Sequence, residues 1–106
     1  MATGVFSQRL ETLLQQKYGN SAIVKNSMIA DGCVIEGEVE NSIIFRNVKV
    51  ARGTIVKNSI IMQDSIIGEN CIVNCIIADK KVVIRDRKIL SGSENHPFYI
   101  SKGEMI

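Results

Sequence analysis

The residues that could take part in chemistry are few and far apart in this sequence of 106 residues. His96 is the single histidine and lies beside Pro97, near the end of the chain. A lone imidazole on a terminal segment is more typical of a surface residue than of a general base. Cys33, Cys71 and Cys75 are too few and too widely spaced for a zinc site, so we interpret them as small buried residues. The sequence therefore predicts no catalytic residue, no metal-binding residue and no cofactor.

The charged residues are of both signs and are interspersed along the chain, with a formal net charge of +2. Tryptophan is absent and aromatic residues make up 5%, so the basic surface and stacking platforms that bind nucleic acids are missing. No apolar run is long enough to span a membrane, and the sequence predicts a cytoplasmic protein. The basic residues that could face an anionic effector are interpreted as a solvated surface, and they are Arg46, Lys49, Arg52 and Lys57.

A short repeat supplies the elements that position these residues. Asn, Asp or Gly is followed by a small residue and two aliphatic residues, as in the segments 58–61 and 64–67, and the phrase recurs about every six residues. Asn, Asp and Gly tolerate the left-handed backbone of a sharp corner, and the residues that follow alternate between two sides of a strand. The repeat predicts an all-β parallel β-solenoid of about four turns, with about 18 residues in each turn. Its copies begin at Asn20, Asn26, Gly32, Asn41, Asn47, Gly53, Asn58, Asp64, Asn70, Asn74, Lys80 and Asp86.

Assigning every third unit to the same side of the solenoid predicts which side chains stack. The second aliphatic residue of each unit points inward in this assignment, and the first points outward. The inward stacks are Ile23, Ile44, Ile61 and Ile77, then Ile29, Val50, Ile67 and Val83, then Ile35, Val56, Val73 and Ile89. The outward columns are Ala22, Ile43, Ile60 and Ile76, then Val34, Ile55 and Ile72, then Met28, Ile66 and Val82 with Lys49 among them.

Two parts of the repeat are irregular. The unit at Gly32 is longer than the others, and we interpret its acidic residues as a solvated corner, namely Glu36, Glu38 and Glu40. In the last turn, Lys81 and Arg87 fall at inward positions, where we expect a solenoid to fray or to be capped.

The chain divides into three predicted regions. Residues 1–19 form an N-terminal cap with a short α-helix from Ser7 to Lys17, because apolar residues recur there at helical spacing. Residues 20–90 form the β-solenoid. Residues 91–106 form an extended tail that folds along or across the last turn.

The segments 24–37 and 56–63 carry a resemblance to a known family. Their sequences, VKNSMIADGCVIEG and VKNSIIMQ, resemble the hexapeptide repeat of left-handed parallel β-helices. More narrowly, they resemble the C-terminal domain of bacterial glucose-1-phosphate adenylyltransferases (ADP-glucose pyrophosphorylases), closest to the regulatory-type subunit of glycogen biosynthesis. The resemblance runs from about Lys17 to Ile106 and implies a left-handed coil.

The resemblance also implies a function. The resembled enzymes join ATP and glucose 1-phosphate into ADP-glucose and pyrophosphate in an N-terminal domain whose binding residues have no counterpart in this sequence. It therefore implies a non-catalytic oligomerisation and regulatory domain, whose partners are the catalytic domain or a neighbouring subunit of the adenylyltransferase. The alternative is a hexapeptide-repeat acyltransferase that uses coenzyme A, for which His96 would be the one candidate base.

The outward columns of the predicted solenoid are the candidate interface. Exposed isoleucines stacked in register indicate a surface that another protein covers. The interface candidates are Ile43, Ile60 and Ile76 in one column and Val34, Ile55 and Ile72 in another. In isolation, we expect the chain to form a homo-oligomer through them.

Overall fold

The computed structural model of the chain describes residues 17–18 and 22–106, and these residues form fifteen short strands and no helix. Their shortness follows from the six-residue repeat, in which a corner residue interrupts each extended segment. The strands are β1 (Lys17–Tyr18), β2 (Ile23–Lys25), β3 (Met28–Ile29), β4 (Val34–Ile35), β5 (Glu38–Glu40), β6 (Ile43–Ile44), β7 (Lys49–Val50), β8 (Ile55–Lys57), β9 (Ile60–Ile61), β10 (Ile66–Ile67), β11 (Ile72–Asn74), β12 (Ile76–Ala78), β13 (Val83–Ile84), β14 (Ile89–Ser91) and β15 (Phe98–Ile100).

The strands stack into three parallel sheets of five strands each. Sheet A contains β1, β4, β7, β10 and β13, sheet B contains β2, β5, β8, β11 and β14, and sheet C contains β3, β6, β9, β12 and β15. Consecutive strands lie in different sheets, so the chain winds around one axis and each strand pairs with the strands one full winding, or coil, away. Four windings separate the first and last strands of each sheet, which confirms the predicted parallel β-solenoid.

Most coils contain 17 residues, one fewer than predicted. In sheet C, Ile43 pairs with Ile60 and Ile60 pairs with Ile77. The corner between sheets B and C accounts for the missing residue. Only Asn58 and Ser59 separate β8 from β9, whereas four residues separate β9 from β10.

Residues with left-handed backbone form the corners. The φ angle is +50° at Asn58, +63° at Asp64 and +55° at Asn70, and it is +78° at Gly32 and +79° at Gly53. Asn, Asp and Gly are the residues for which this conformation is least costly. The corner residues of the sequence repeat are thus confirmed over the middle coils.

A ladder of asparagine side chains joins successive coils at the corner between sheets B and C. The Asn26 Nδ2 donates to Asn41 Oδ1 at 2.9 Å, and Asn41 Nδ2 donates to Asn58 Oδ1 at 2.6 Å. Asn58 Nδ2 then donates to Asn74 Oδ1 at 3.1 Å. Each amide stabilises its neighbours in the adjacent coils, and we refer to these four residues as the Asn ladder.

The small residue after each corner also has a hydrogen-bonding role. Ser59 Oγ donates to the carbonyl oxygen of Lys57 at 2.7 Å and accepts from the Ile76 N–H of the next coil at 3.1 Å. Ser59 is 3% exposed, so water does not reach these groups freely. A hydroxyl is therefore favoured here because it satisfies backbone groups that the bend leaves outside the sheet ladder.

The core is formed by the inward side chains of the three sheets. Those at most 1% exposed are Ile35, Val50, Ile67 and Ile84 in sheet A, Val39, Val56 and Val73 in sheet B, and Ile44, Ile61, Ile76, Ala78 and Ile100 in sheet C. The predicted inward residues of the middle coils are confirmed. At the ends the prediction was wrong, since Ile23 is 44% exposed and Ile89 is 73% exposed. Alternation places Val24 and Leu90 on the inward side there instead.

The errors in the last coil have one cause. The corner that the sequence placed at Asn74 lies at Cys75, whose φ is +57°. Lys81 and Arg87 are consequently exposed corner residues with φ of +59° and +61°, not inward residues. Every later strand of the coil is shifted by one residue, so the inward side chains there differ from those predicted.

The acidic segment after Gly32 is a strand rather than a solvated corner. Strand β5 pairs with β2 and β8, and Val39 at its centre is fully buried. Gly37 occupies the small inward position, where an added Cβ would lie 2.3 Å from the carbonyl oxygen of Thr54. The alternation of Gly37 and Val39 with glutamates therefore marks a complete unit, and this coil is shortened to a step of 15 residues from Val34 to Lys49.

The described residues at both ends of the solenoid extend the winding. The predicted helix 7–17 lies outside the described residues except for Lys17, which pairs with Val34 in sheet A. The tail lies along the last coil, since β15 pairs with β12 and Met105 forms a bridge with Val83. The backbone N–H of Arg85 also donates to the Ile106 carbonyl oxygen at 2.9 Å.

Candidate functional site

The outer surface of sheet C carries two columns of mostly apolar side chains. The first column is Met28, Ile43, Ile60, Ile77 and Tyr99, and the second is Ala30, Phe45, Met62, Asp79 and Ser101. Met28 is 70% exposed, Ile43 is 42% exposed and Phe45 is 40% exposed. Asp79 is the only charged residue in the two columns. We call these ten residues the sheet C face.

The single carboxylate of this face is held by hydrogen bonds. The Tyr99 hydroxyl donates to Asp79 Oδ2, and the Lys80 N–H donates to Asp79 Oδ1 at 2.7 Å. The bond from Tyr99 is the main cause that lowers the pKa of Asp79, and the same bond raises the pKa of Tyr99. The carboxylate thus lies at the C-terminal end of the face, paired with a neighbouring hydroxyl.

Sheet B is more polar on its outer surface. Glu38 lies in the column of Ile55 and Ile72, and the adjacent column contains Lys25, Glu40 and Lys57. Lys57 Nζ lies 3.9 Å from Glu40 Oε1, and this exposed ion pair contributes little to stability. Alternating charges suit a surface in contact with water.

Five of the six predicted interface residues point outward. Ile43 and Ile60 lie on the sheet C face, and Ile55 and Ile72 lie on sheet B. Val34 is also outward, but it pairs with Lys49 in sheet A instead of joining the column of Ile55 and Ile72.

Ile76 was wrongly predicted to be an interface residue. It is fully buried in the core, and its neighbour Ile77 takes the outward position of the column. The reason is the corner at Cys75, which moves the alternation of β12 by one residue.

Besides Ile77, which was predicted to point inward, the sheet C face contains three large side chains that were missed in the sequence, namely Phe45, Met62 and Tyr99. The signal for the first two is the alternation itself, which continues one residue beyond the inward Ile44 and Ile61. The third was hidden because the tail after residue 91 does not follow the repeat.

A shallow groove borders the sheet C face on the side of the Asn ladder. It is lined by Asn41 and Asn58 of the ladder, by Ile43 and Ile60 of the face, and by the tail residues Ser93, Glu94 and Pro97. Glu94 therefore places a negative charge beside this edge of the face. The opposite edge, where the chain turns from sheet C to sheet A, carries charges of both signs with a net positive charge. Its charged residues are Asp31, Arg46, Asp64, Lys80, Lys81 and Lys102.

His96 and the cysteines lie apart from one another. The exposed His96 belongs to a tight turn, in which its N–H donates to the carbonyl oxygen of Ser93 at 3.1 Å. Cys33 Sγ and Cys71 Sγ each donate to a backbone carbonyl oxygen of the next coil at 3.0 Å, those of Phe45 and Arg85. Burial is the main cause that raises the pKa of the Cys33 thiol. All three cysteines are buried and free, as the sequence predicted.

The four basic residues considered as an anion site do not converge. Lys49 projects from sheet A and Lys57 from sheet B, while Arg46 and Arg52 lie in two different corners. All four are exposed. Among residues 17–18 and 22–106, no group of three or more His, Cys, Asp or Glu side chains is arranged to hold a metal ion. The same part of the chain contains no helix that could cross a membrane.

The fold and its repeat agree with the comparison with known proteins. Residues 11–97 match the family described as GlmU-like, C-terminal hexapeptide, and the chain belongs to this family.

Two kinds of curated relatives are similar to this chain. The glycogen biosynthesis protein GlgD of Bacillus subtilis (strain 168) is 49% identical over 87 residues, which are 82% of this chain and 25% of that protein. The glucose-1-phosphate adenylyltransferases of Bacillus thuringiensis (strain Al Hakam) and Bacillus mycoides (strain KBAB4) are each 36% identical over 80 residues, 76% of this chain and 21% of those proteins. The chain thus spans a quarter or less of the length of these relatives. The resemblance to the adenylyltransferases of glycogen biosynthesis is confirmed.

Proposed function

We propose that this chain acts as the non-catalytic oligomerisation and regulatory domain of a cytoplasmic glucose-1-phosphate adenylyltransferase of glycogen biosynthesis. The reaction, which joins ATP and glucose 1-phosphate into ADP-glucose and pyrophosphate, would take place in a separate catalytic domain. The sheet C face is the observation that carries the proposal, because it exposes large side chains in its first two coils and its last coil, namely Met28, Ile43, Phe45 and Tyr99. The similarity to GlgD and to the adenylyltransferases supplies the pathway.

The solenoid would contribute position rather than chemistry. Its inward side chains are closely packed, and its corners are fixed by the Asn ladder and by buried hydroxyls. Such a solenoid would move as a rigid body. A change in a contact at one part of its surface could therefore affect a domain that packs against another part. The catalytic domain and a neighbouring subunit are the partners that we propose.

A chimaera tests the proposal in the context of a whole enzyme. In the Bacillus thuringiensis adenylyltransferase, the 80 residues that match this chain would be replaced by the corresponding residues of this chain. We expect the chimaera to assemble into the oligomer of the parent enzyme and to retain its activity, whereas an enzyme that lacks the segment should lose assembly. A chimaera that assembles no better than the truncated enzyme would refute the proposal.

The isolated chain provides a second test. We expect no formation of ADP-glucose from ATP and glucose 1-phosphate, because in our proposal this reaction requires the separate catalytic domain. The competing acyltransferase function predicts acetyl transfer from acetyl-coenzyme A that is lost in His96→Ala. Turnover of either kind by the purified chain would contradict a non-catalytic role.

A further inference from the structure

We propose that a second copy of this chain packs against the sheet C face, with the two solenoids side by side and pointing in the same direction. This inference rests on the proposed oligomerisation function and specifies its surface and its partner. The two copies would be related by a two-fold axis parallel to the solenoid axis. Each sheet C strand would then face the equivalent strand of the partner.

The exposed area is sufficient for such a dimer. The sheet C face leaves on the order of 500 Å² of mostly apolar side chain exposed in each copy, since its larger side chains present 150–250 Å² when fully exposed. A patch of this size lies at the upper end of what monomeric proteins expose. Two copies would bury roughly 1,000 Å² in total, which is the lower bound for a specific interface. The dimer should therefore be reversible and should depend on protein concentration.

The order of residues along the strands makes the first three coils of the face complementary to themselves. The two-fold axis reverses the strand direction, so the first outward residue of a strand faces the second outward residue of the partner strand. Met28 then lies opposite Ala30, so the long methionine side chain meets the short alanine side chain. Ile43 lies opposite Phe45 in the next coil, and apolar side chains again meet each other.

The charges at the two edges favour the same arrangement. The two-fold axis brings the Asn ladder edge of one copy against the opposite edge of the other copy. Glu94 beside the Asn ladder would then face the edge that carries Arg46 and Lys80. If the solenoids pointed in opposite directions, like edges would meet, and two edges of net positive charge would face each other. Like charges across a contact are unfavourable, which disfavours the antiparallel arrangement.

The first experiment compares two matched lysine substitutions by sedimentation velocity between 1 and about 100 µM protein, a range that brackets weak dimers. Ile43→Lys lies on the sheet C face, and Ile72→Lys is its control on sheet B. The two isoleucines are 42% and 44% exposed, and each lies between two apolar outward neighbours. We expect the wild type to dimerise, Ile43→Lys to weaken dimerisation at least tenfold, and Ile72→Lys to behave as the wild type.

The outcomes separate this inference from the function on which it rests. An oligomer that is lost in Ile72→Lys but kept in Ile43→Lys overturns the sheet C interface and leaves the oligomerisation function in place. A wild type that is monomeric throughout, together with a chimaera that assembles, overturns self-association through this face in the same way. Failure of the chimaera overturns the function itself.

The second experiment tests the direction of the two copies by cross-linking Met28→Cys with a bismaleimide that spans about 12 Å. In the parallel dimer, the two Met28 positions lie about 12 Å apart, given sheets packed at about 10 Å and a lateral offset of two residues. In an antiparallel dimer, they lie about 20 Å or more apart, because four coils at about 4.8 Å separate the ends. The controls are the wild type, whose cysteines are buried, and Ile23→Cys on sheet B. We expect a cross-linked dimer only for Met28→Cys, and a dimer that Met28→Cys does not cross-link would refute the parallel arrangement.

Discussion

Replacement of Ser65 by alanine tests whether the small corner residues stabilise the fold through their hydroxyl groups. Ser65 is 1% exposed and follows the corner residue Asp64. Its Oγ donates to the carbonyl oxygen of Asp79 at 3.0 Å and accepts from the N–H of Val82 at 3.1 Å. Both partners belong to the next coil, so this one hydroxyl joins two windings of the chain.

The expected loss follows from the group that the substitution leaves behind. Val82 is fully buried, and its N–H would lose the Ser65 oxygen without gaining contact with water. A buried donor without a partner costs about 1–3 kcal/mol, and alanine leaves little cavity that could add to this cost. Because small domains are stable by only about 5–15 kcal/mol, the effect is large enough to measure.

Urea denaturation followed by circular dichroism measures the free energy of unfolding. With a slope of about 1–3 kcal/mol per molar urea, we expect the midpoint of Ser65→Ala to fall by about 1 M. Ser91→Ala is the matched control, because Ser91 is exposed and bonds only to the carbonyl oxygen of Gly92 at 3.3 Å. Its effect should stay within about 0.5 kcal/mol. Equal losses in both variants would refute the role assigned to the buried hydroxyl.

Three further predictions concern the core, the shortened coil and the end of the sheet C face. Ile61→Ala should lower the free energy of unfolding by about 2–5 kcal/mol and Ile60→Ala by clearly less at concentrations where the chain is monomeric, since Ile61 is fully buried and Ile60 points outward. Equal losses by urea denaturation would contradict this assignment. Gly37→Ala should cost about 1–3 kcal/mol in the same assay, because its Cβ would lie 2.3 Å from a backbone carbonyl oxygen, and a neutral effect would contradict the close contact. In Tyr99→Phe, the pKa of Asp79 should rise toward its ordinary value in a carboxyl NMR titration, and an unchanged pKa would contradict the hydrogen bond. Because the folded pKa of Asp79 is lowered, its contribution to stability is present above about pH 3.9 and is lost as the pH falls through the lowered value.

The sequence repeat predicts the architecture well because corner and core requirements coincide in it. A residue that tolerates positive φ, a small buried residue and an inward aliphatic residue must follow one another at fixed intervals, as they do from Asn58 to Ile61. This local constraint specifies the inward residues of the middle coils without any knowledge of distant contacts. The prediction missed the unit that contains Val39, so it assigned Ile35 to the stack of Val56, whereas Ile35 pairs with Val50 in sheet A.

Residue types alone could not predict which residue forms the first corner of the last coil. Asn74 looks like a corner residue, but the preceding coil places the corner at Cys75, 17 residues after Asn58. The Asn74 side chain instead accepts the last hydrogen bond of the Asn ladder. Stacking on the previous coil therefore overrides the local preference, and it makes Ile76 a core residue rather than an interface residue.

The candidate site consists of outward positions, at which the repeat does not determine the residue type. The backbone and the core of each coil are satisfied by inward side chains, buried hydroxyls and the Asn ladder, so the outward positions contribute little to folding. Their composition can therefore follow the environment of each side. In sheet A and sheet B, charged residues occupy outward positions, namely Lys49, Glu38 and Lys57. Charged side chains are expected on surfaces in contact with water. In sheet C, no outward residue before Asp79 is charged. Such an apolar surface lowers solubility, and the packing of the core does not require it. The contact that we propose on this one side would account for the difference among the three sheets.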